Sequence, residues 1–522
     1  MDIKGTILRA KDGHPVPVLE RDGLKRHLGS MYDGAVAASC WCEKVVSKSK
    51  RTENIIFFGM GDCRIVLELI EKVPGQILVY EPENLVFSQM RTSNLYKKAV
   101  KCRRVKIFQA SEHAKFSCTA KDLLDDDWVE ETMLAVHPGY VDWYEEEFLE
   151  VQEICQKICD DITFMRAPLK RFTVAMIRNQ IANFPNMTKG VPLRRLYRKG
   201  NADIPVILVS AGPSLEKNVE DLKEAKGHAL IWCADAALPT LLSHQVIPDL
   251  VASVDAGKGL FCFEDERSNL IPVLGSSNTR TEFLNRNTAK KIWGFDHEQI
   301  LMMQKRAGIE ISQVPYYLGV STAMFSSAVE FGAENIIFVG QDLAYASDGS
   351  SHTNGKKEYY GDTDRIETDG YYGDKVYSRM DWMAFKEWFE KMIALYPSIT
   401  VTNATEGGVR IEGTIQKPLK EVCQELGQKA VCFEDFLEAE DNQITEKEAV
   451  LMKEQMVQCV RDLEAVRLWG YDVTFFEKDY HQFPVMSMIL SYMKILEGDR
   501  RERFETALSF VSDELEKGGW GR

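Results

Sequence analysis

The stretch VILVSAGPSLEKN, residues 206–218, decides the fold. An apolar run typical of a buried strand ends at Ala211-Gly212-Pro213-Ser214, and an amphipathic helix is predicted directly afterwards. Gly212 allows the backbone a close approach, and proline in the first helical turn lacks an amide that would otherwise be unpaired. The remaining free N–H groups and the Ser214 hydroxyl would suit a phosphate. A tight strand-to-helix turn without a ligand explains the same residues equally well.

The region around this stretch alternates short apolar runs with amphipathic segments. Each run is bounded by turn or acidic residues, as expected for strands that are buried on both faces of a sheet. The predicted strands are IPVILVS, HALIWCAD, DLVASVD, LIPVLGSS, KKIWGF, NIIFVGQD and a last one in SITVTNAT. The pattern predicts an α/β fold in which a central, Rossmann-like parallel sheet carries helices on both faces.

Four regions are predicted along the 522 residues. They are an N-terminal Rossmann-like domain (1–142), a helical connector (143–200), a central domain expected to hold the catalytic site (201–430) and a C-terminal helical domain (431–522). The last region begins with the capping box Thr445-x-x-Glu448. Apolar residues follow the capping box at helical spacing, namely Met452, Met456, Cys459, Leu463 and Val466.

The N-terminal region carries a pattern close to a dinucleotide fingerprint. FFGMGD (57–62) is followed by VYEPE (79–83), in which Glu81 is placed to bind a ribose. The third glycine of the fingerprint is missing, because Arg64 stands at its position. We therefore expect a Rossmann-like fold that binds no cofactor, or one that serves as a platform for an acceptor.

Composition narrows the class of protein. The formal net charge of −15 argues against nucleic acid or an anionic membrane as the main partner, so an anionic ligand must be held by local groups. The twelve cysteines form neither a zinc pattern nor a CxxC pair, which favours a reducing compartment. No apolar run has the length of a membrane span, and the N-terminus lacks the apolar core of a signal peptide. The expected location is the cytoplasm.

Polar residues concentrate where the predicted strands end. Ligands of open α/β sheets bind at the carboxyl ends of the strands, so these residues are the candidate binding residues. They are Ala211, Gly212, Pro213, Ser214, Asp235, Asp255, Asn278, Gln341 and Asp342, joined by Ser321 and Thr322 at the start of another helix. Asp235 and Asp255 could contact a ribose, hold Mg²⁺ or cap the helices that follow them.

The loop after Gln341-Asp342 presents a histidine. Residues 343–358 are rich in Gly, Ser, Asp and Asn, and they are predicted to form a weakly anchored lid that orders over a ligand. His352 lies on this loop, and imidazole suits a general base near neutral pH. A solvated histidine without a function is the alternative.

Several ordered motifs resemble the motility accessory factor (Maf) glycosyltransferases, which transfer nonulosonic acids to flagellin. They are ILVSAGPSLEKNVEDL, CADAALPTLLSHQVIPDLVASVDAG, GVSTAMFSSAVEFGAENIIFVGQDLAYASDGSSH and NATEGGVRIEGT, and together they span roughly 201–430. The resemblance implies a sialyltransferase-like central domain that moves pseudaminic or legionaminic acid from a CMP donor to Ser or Thr of flagellin. The turn 212–214 would bind the nucleotide, and His352 would be the base.

The resemblance also implies roles for other residues. Asp342 joins His352 as a catalytic candidate, while Asn278 and Ser321 would read the nucleotide or the sugar carboxylate. Hydroxyls that could stabilise the leaving phosphate belong to Tyr316, Tyr317 and Tyr345. No tightly bound cofactor is expected, although Mg²⁺ is possible.

Two other functions stay open at this stage. The central region also resembles the archaeal hydroxymethylpterin pyrophosphokinases, which implies ATP and Mg²⁺ with Asp235, Asp255 and Asp342 as metal ligands. That reading gives no reason for the large flanking regions, whereas a protein acceptor such as flagellin does. A non-enzymatic chaperone or scaffold for flagellin is the second alternative, and it predicts that the polar residues at the strand ends are dispensable.

Overall fold

The computed structural model describes residues 3–46, 52–124, 131–296, 298–312, 314–315, 319–353, 365–427, 430–469, 483–496 and 500–520. The chain divides into two compact units, Met1–Arg171 and Phe172–Arg522, which we call the N-terminal and the C-terminal unit. The predicted boundaries at 142, 200 and 430 do not coincide with this division. Helices predicted as a separate C-terminal domain share one hydrophobic core with the central sheet.

The N-terminal unit is Rossmann-like. Three antiparallel strands precede a parallel four-stranded sheet with the order β6-β5-β4-β7. The strands are β1 (Lys4–Arg9), β2 (Pro15–Arg21), β3 (Leu24–His27), β4 (Asn54–Phe58), β5 (Ile77–Glu81), β6 (Val105–Gln109) and β7 (Thr132–Val136). The helices are α1 (Gly34–Val46), α2 (Arg64–Lys72), α3 (Asn84–Met90), α4 (Asn94–Lys101) and α5 (His113–Leu124), and α6 (Glu145–Met187) continues into the C-terminal unit.

The C-terminal unit is built on nine parallel strands in the order β18-β17-β14-β9-β10-β11-β12-β13-β8. They are β8 (Val191–Pro192), β9 (Pro205–Val209), β10 (Leu230–Ala234), β11 (Leu250–Ser253), β12 (Val273–Gly275), β13 (Lys291–Trp293), β14 (Asn335–Val339), β17 (Thr400–Asn403) and β18 (Ile415–Gln416). A separate hairpin consists of β15 (Ile366–Asp369) and β16 (Lys375–Ser378). All seven predicted strands are present.

Helices cover both faces of this sheet, which confirms the predicted fold class. Alternate residues of each strand face opposite ways, so that Ile207 and Val209 of β9 lie in one core and Val206 and Leu208 lie in the other. The helices are α7 (Leu215–Asn218), α8 (Leu222–Ala225), α9 (Leu238–Ser243), α10 (Thr281–Arg286), α11 (Glu298–Arg306), α12 (Val320–Phe331), α13 (Met380–Leu395), α14 (Leu419–Glu425), α15 (Glu434–Glu438), α16 (Glu446–Trp469), α17 (Pro484–Met493) and α18 (Arg500–Lys517).

The predicted C-terminal helix begins as its sequence indicates. Thr445 Oγ1 accepts the backbone N–H of Glu448, and a Glu448 carboxylate oxygen accepts the backbone N–H of Thr445 at 2.9 Å. The five apolar residues that follow at helical spacing are all buried against the sheet's core. Among the described residues, no helix combines the length and the apolar character that crossing a membrane requires.

Candidate active site at the carboxyl ends of the strands

The sheet reverses its direction of growth between β9 and β14. Strands β10 to β13 follow β9 on one side, whereas β14 and β17 lie on its other side. The helices that follow β9 pack in one core, whereas α13, which follows β14, packs in the other. Because the two connections leave toward opposite faces, the carboxyl ends of these two strands are where an open α/β sheet is expected to have its ligand-binding crevice.

The turn after β9 is held by a carboxylate from the end of β14. Ser214 Oγ donates to Asp342 Oδ2 at 2.7 Å, and the Ser214 N–H donates to the same carboxylate at 3.2 Å. The Gly212 N–H donates to the Gly340 carbonyl at 2.8 Å. The Ser214 amide and hydroxyl that were expected to bind phosphate are therefore engaged by Asp342, and the helix that follows has only four residues.

The glycine in this turn is required by the same contact. A Cβ on Gly212 would lie 1.9 Å from Asp342 Oδ2 and 2.5 Å from the Gly340 carbonyl oxygen. Asp342 is buried, and this burial raises the pKa of its carboxyl group to about 6, although the bonds from Ser214 oppose the shift. Gly212 thus allows the Asp342 carboxylate of the protein itself to lie close to the backbone of the turn.

The loop within the NATEGGVRIEGT motif encloses Asp342. The Val409 N–H donates to the Asp342 carbonyl at 2.7 Å, and the Gln341 N–H donates to Thr405 Oγ1 at 3.1 Å. Gly408 has a φ of 73°, and a Cβ there would lie 2.1 Å from the Asp342 carbonyl oxygen. The signal in the sequence was the paired glycine of NATEGGVRIEGT, which only the structure connects to the β9 turn.

Asp235 and Asp255 share a cation that the sequence did not single out. The Lys258 ammonium lies 2.5 Å from Asp235 Oδ1, while Asp235 Oδ2 accepts the Ser253 hydroxyl at 2.8 Å. Asp235 is fully buried, whereas Asp255 is exposed to solvent. Desolvation by the neighbouring protein raises the pKa of Asp255, and the Asp235 carboxylate raises it further. Burial acts to lower the pKa of Lys258, but the two carboxylates outweigh it and leave that pKa raised.

Helix α6 holds the loop that carries Asn278. Asn179 Nδ2 donates to the Asn278 carbonyl at 2.8 Å, and Gln180 Nε2 donates to Asn278 Oδ1 at 2.9 Å. Asn183 Nδ2 donates to the carbonyls of Ser277 and Thr279. The loop after β12 is thus fixed by three polar side chains of one helix, none of which the sequence marked as important.

The residue that follows His352 bonds to the turn after β9. The Thr353 N–H donates to the Ala211 carbonyl at 2.8 Å, and Thr353 Oγ1 lies 3.1 Å from Thr240 Oγ1. His352 itself is half-buried, and its Nδ1 lies 3.0 Å from Ser351 Oγ. The bond from Thr353 therefore holds the neighbouring residue His352 near the turn after β9.

The predicted lid is anchored over its first half. The Ala346 N–H donates to the Ser350 carbonyl at 2.9 Å, and Ser350, Ser351 and Thr353 are buried. This differs from the prediction of few anchors, because short polar side chains and backbone groups supply the bonds that apolar residues were expected to supply. Residues 354–358 of the predicted lid lie outside the described residues.

The remaining candidates lie in the turn after β9, at the end of β14 and at the start of α12, or outside the described residues. Ser210 Oγ donates to Gln341 Oε1 at 2.5 Å, which joins the ends of β9 and β14. Thr322 is buried and bonds the Gly319 carbonyl at 2.9 Å, while Ser321 is half-buried at the start of α12. Two of the three tyrosines proposed for the leaving phosphate, Tyr316 and Tyr317, lie outside the described residues, and Pro213 is half-buried within the turn.

The metal alternative has no cluster to support it in the described part of the chain. There, no three His, Cys, Asp or Glu side chains come together as ligands for an ion. Asp342 bonds Ser214, and Asp235 pairs with Lys258. Of the three aspartates proposed for Mg²⁺, Asp235 and Asp255 thus interact with Lys258, whereas Asp342 bonds Ser214.

In the N-terminal unit, groups of the protein itself bind the residues of the dinucleotide fingerprint. Glu81 Oε2 accepts the Met60 N–H at 2.9 Å and the Tyr140 hydroxyl at 2.7 Å, and Oε1 accepts the Glu83 N–H at 2.9 Å. Burial raises the pKa of Glu81 to about 8. A Cβ on Gly59 would lie 2.5 Å from the Tyr140 ring. The carboxylate placed to bind a ribose therefore binds its own turn.

Comparisons with known proteins agree with both resemblances. Residues 178–348, less than half of the chain, match the family model described as MptE-like, 6-hydroxymethylpterin diphosphokinase. The structure is similar to that of the MAf glycosyltransferase from Magnetospirillum magneticum AMB-1, with a TM-score of 0.61, 15% identity, and coverage of 98% of this chain and 86% of that one. At this identity the similarity establishes a shared fold.

Two further comparisons give no additional information about the fold or the function. A hydrogen sulfide-producing enzyme is 12% identical over 69% of this chain and 90% of that one, but its TM-score is only 0.13. No protein of curated function matches the sequence.

Proposed function

We propose that the chain is a glycosyltransferase that moves a nonulosonic acid from a CMP donor to Ser or Thr of flagellin in the cytoplasm. The observation that carries the proposal is the extent of the structural similarity, which spans 98% of the chain and so includes the N-terminal unit and the C-terminal helices. The pyrophosphokinase-like match ends at residue 348 and begins only at residue 178. A function confined to that segment leaves the rest of the chain without a role.

The donor is proposed to lie in the crevice between β9 and β14. The turn Gly212–Ser214 supplies one wall, and the Asn278 loop, which α6 holds in place, supplies another. In this proposal Asp342 acts as a positioning residue rather than a proton carrier, because its carboxylate fixes Ser214. Lys258 pairs with Asp235, and the exposed carboxylate of Asp255 is proposed to accept sugar hydroxyls.

His352 is proposed as the general base. The acceptor oxygen attacks the anomeric carbon, the bond from that carbon to the phosphate oxygen breaks, and the acceptor proton passes to the His352 imidazole. CMP departs with the electrons of the broken bond, so the leaving group needs stabilised charge more than a proton. The support for this role is the bond that ties Thr353 to Ala211, since it holds the preceding residue beside the turn.

Nucleotide selectivity tests the proposal. Calorimetry on the full chain should give binding of CMP without added metal and no comparable binding of ATP with Mg²⁺. Purified flagellin, incubated with the enzyme and a CMP-nonulosonic acid, should gain the mass of one or more sugars by intact-protein mass spectrometry. Binding of ATP with Mg²⁺ in place of CMP would favour the pyrophosphokinase alternative, which the match over 178–348 supports.

A single variant distinguishes the scaffold alternative from the proposed glycosyltransferase. If the protein acts only as a chaperone of flagellin, His352→Ala leaves flagellin assembly and solubility unchanged and no sugar is transferred by either protein. If the proposal holds, the wild-type protein transfers sugar and the variant loses most of that activity.

A further inference from the structure

An aromatic and basic group lies beside the crevice, on the side of β14. Tyr345 follows Asp342 by three residues, and its N–H donates to the Tyr377 carbonyl at 2.8 Å. Ser378 Oγ donates to the Leu343 carbonyl at 2.7 Å. The segment that begins at Ser378 is thus pinned next to the residue that follows Asp342. Four side chains gather here, and we call them the β14 cluster: Tyr345, Arg365, Arg379 and Trp382.

The inner half of the β14 cluster is rigid. Arg379 is buried, its guanidinium carbon lies 4.0 Å from the centre of the Trp382 ring, and its Nε donates to Asp381 Oδ1 at 2.7 Å. The Tyr345 ring lies 4.9 Å from that of Trp382. Arg379 and Trp382 therefore fix the position of the half-buried Tyr345 ring.

The outer member of the β14 cluster is an arginine on the surface. The Arg365 guanidinium carbon lies 5.6 Å from the centre of the Tyr345 ring, a distance at which the cation is attracted to the ring face. Arg365 is exposed, and among the residues that the structure describes no carboxylate pairs with it. The exposed guanidinium thus lies against the Tyr345 ring.

An aromatic side chain of α13 also contacts the residue that precedes α12. Phe385 lies one helical turn after Trp382 on α13. Its ring packs against Gly319, where a Cβ would lie 3.0 Å from the ring atom Cζ. Gly319 directly precedes α12, whose first residues include Ser321. Contacts thus link Arg365 to Tyr345 and Trp382, and Phe385 of the same helix α13 contacts the residue before α12.

We propose that the β14 cluster is the subsite that takes the carboxylate-bearing sugar of the donor, with Arg365 pairing with its carboxylate. A planar guanidinium binds a carboxylate through two parallel hydrogen bonds, which an ammonium cannot reproduce. The Tyr345 ring gives the sugar an apolar face, and Arg379 acts as a positioning residue through Tyr345. This inference rests on the proposed function, because it assigns the sugar half of the same donor.

The same guanidinium could instead pair with the phosphate of the nucleotide, so the experiment uses probes with and without the sugar acid. Calorimetry on the full chain compares CMP with CMP-N-acetylneuraminic acid for the wild type, Arg365→Ala, Arg365→Lys and the control Arg410→Ala. Arg410 is an exposed arginine whose Nε lies 3.1 Å from Glu412. Circular dichroism and thermal unfolding first establish that each variant is folded.

The wild type should bind the sugar nucleotide more tightly than CMP. Arg365→Ala should weaken binding of the sugar nucleotide by about ten-fold or more and leave CMP binding unchanged, since the lost hydrogen bonds are charge-assisted. Arg365→Lys should recover only part of the loss, and Arg410→Ala should match the wild type for both probes.

Each other result overturns the inference. An equal loss for both probes in Arg365→Ala would assign the guanidinium to the phosphate, and no loss for either would leave it without a ligand. Equal affinity of the wild type for the two probes would mean that no sugar subsite contributes. Failure of the proposed function is distinct from these, because the wild type would then bind neither CMP probe.

Discussion

Replacing Gly212 with Ala tests why the turn after β9 contains a glycine. The added Cβ would lie 1.9 Å from Asp342 Oδ2 and 2.5 Å from the Gly340 carbonyl oxygen. The carboxylate can move, but the carbonyl belongs to the backbone beside β14 and already accepts the Gly212 N–H at 2.8 Å. The substitution must therefore separate the turn from the end of β14 by several tenths of an ångström.

The expected loss has two parts. Overpacking of a buried site costs about 1–3 kcal/mol. Displacement of Asp342 weakens its bonds with the Ser214 amide and hydroxyl, and charge-assisted hydrogen bonds contribute about 1.5–3 kcal/mol. We expect the free energy of unfolding to fall by roughly 3–6 kcal/mol in total. At about 2 °C per kcal/mol for a unit of this size, the melting temperature falls by roughly 6–12 °C.

Thermal unfolding followed by circular dichroism measures this change, with Gly200→Ala as the matched control. Gly200 is exposed, and a Cβ there would have no atom within 4 Å. The control should therefore melt within about 1 °C of the wild type, as most surface substitutions do. If Gly212→Ala melts with the control yet loses affinity for CMP, the glycine serves a bound phosphate and the argument from Asp342 is refuted.

Other substitutions probe the remaining groups of the crevice. His352→Ala should lower sugar transfer to flagellin by about 10²–10⁴-fold with CMP affinity nearly unchanged, and activity within a few-fold of wild type would refute its role as the base. Lys258→Met should lower the free energy of unfolding in urea by about 3–5 kcal/mol, because Asp235 would keep a buried charge without its cation, whereas Lys258→Arg should lose much less. Asp342→Asn should gain stability relative to wild type as the pH rises. Since burial raises the pKa of Asp342 to about 6, its contribution to stability is greatest below about pH 4 and is lost as the pH rises through 6. Urea unfolding at intervals from pH 4 to pH 7 should show a relative gain of about 3 kcal/mol, and a constant difference would contradict the burial of a charge.

The strands of the C-terminal unit could be predicted because both faces of the sheet are buried. Continuous apolar runs such as 206–209 and 336–339 are the direct consequence of that burial, and the turn or acidic residues after them mark the strand ends. The start of α16 could also be predicted, since Thr445 and Glu448 are three residues apart and satisfy each other's amides. Local spacing carries that information.

The contacts of the site could not be predicted, because they join distant parts of the chain. Ser214 and Asp342 are 128 residues apart, and Asn183 lies 94 residues from the Ser277 carbonyl that it holds. Lys258 was missed because a lysine in a Gly-rich loop usually faces solvent, whereas its carboxylate partner Asp235 comes from the neighbouring strand. Only the order of the strands brings these groups together.

The two Rossmann-like sheets of this chain use one device, and it explains why a glycine-rich turn is an ambiguous signal. In each sheet a buried carboxyl group at the end of a neighbouring strand accepts a backbone N–H of the turn. Glu81 accepts the Met60 N–H, and Asp342 accepts the Ser214 N–H. Amides that point outward from such a turn bind any anion, whether a ligand's phosphate or an internal carboxylate. In the N-terminal unit the Tyr140 hydroxyl also donates to that carboxylate and its ring packs on Gly59, so the site is filled. At Asp342 the only side-chain hydroxyl that donates among the described residues is that of Ser214 itself, and His352 lies beside the same turn. Whether such a turn is filled by protein groups or borders a crevice therefore depends on which other side chains contact the carboxyl group.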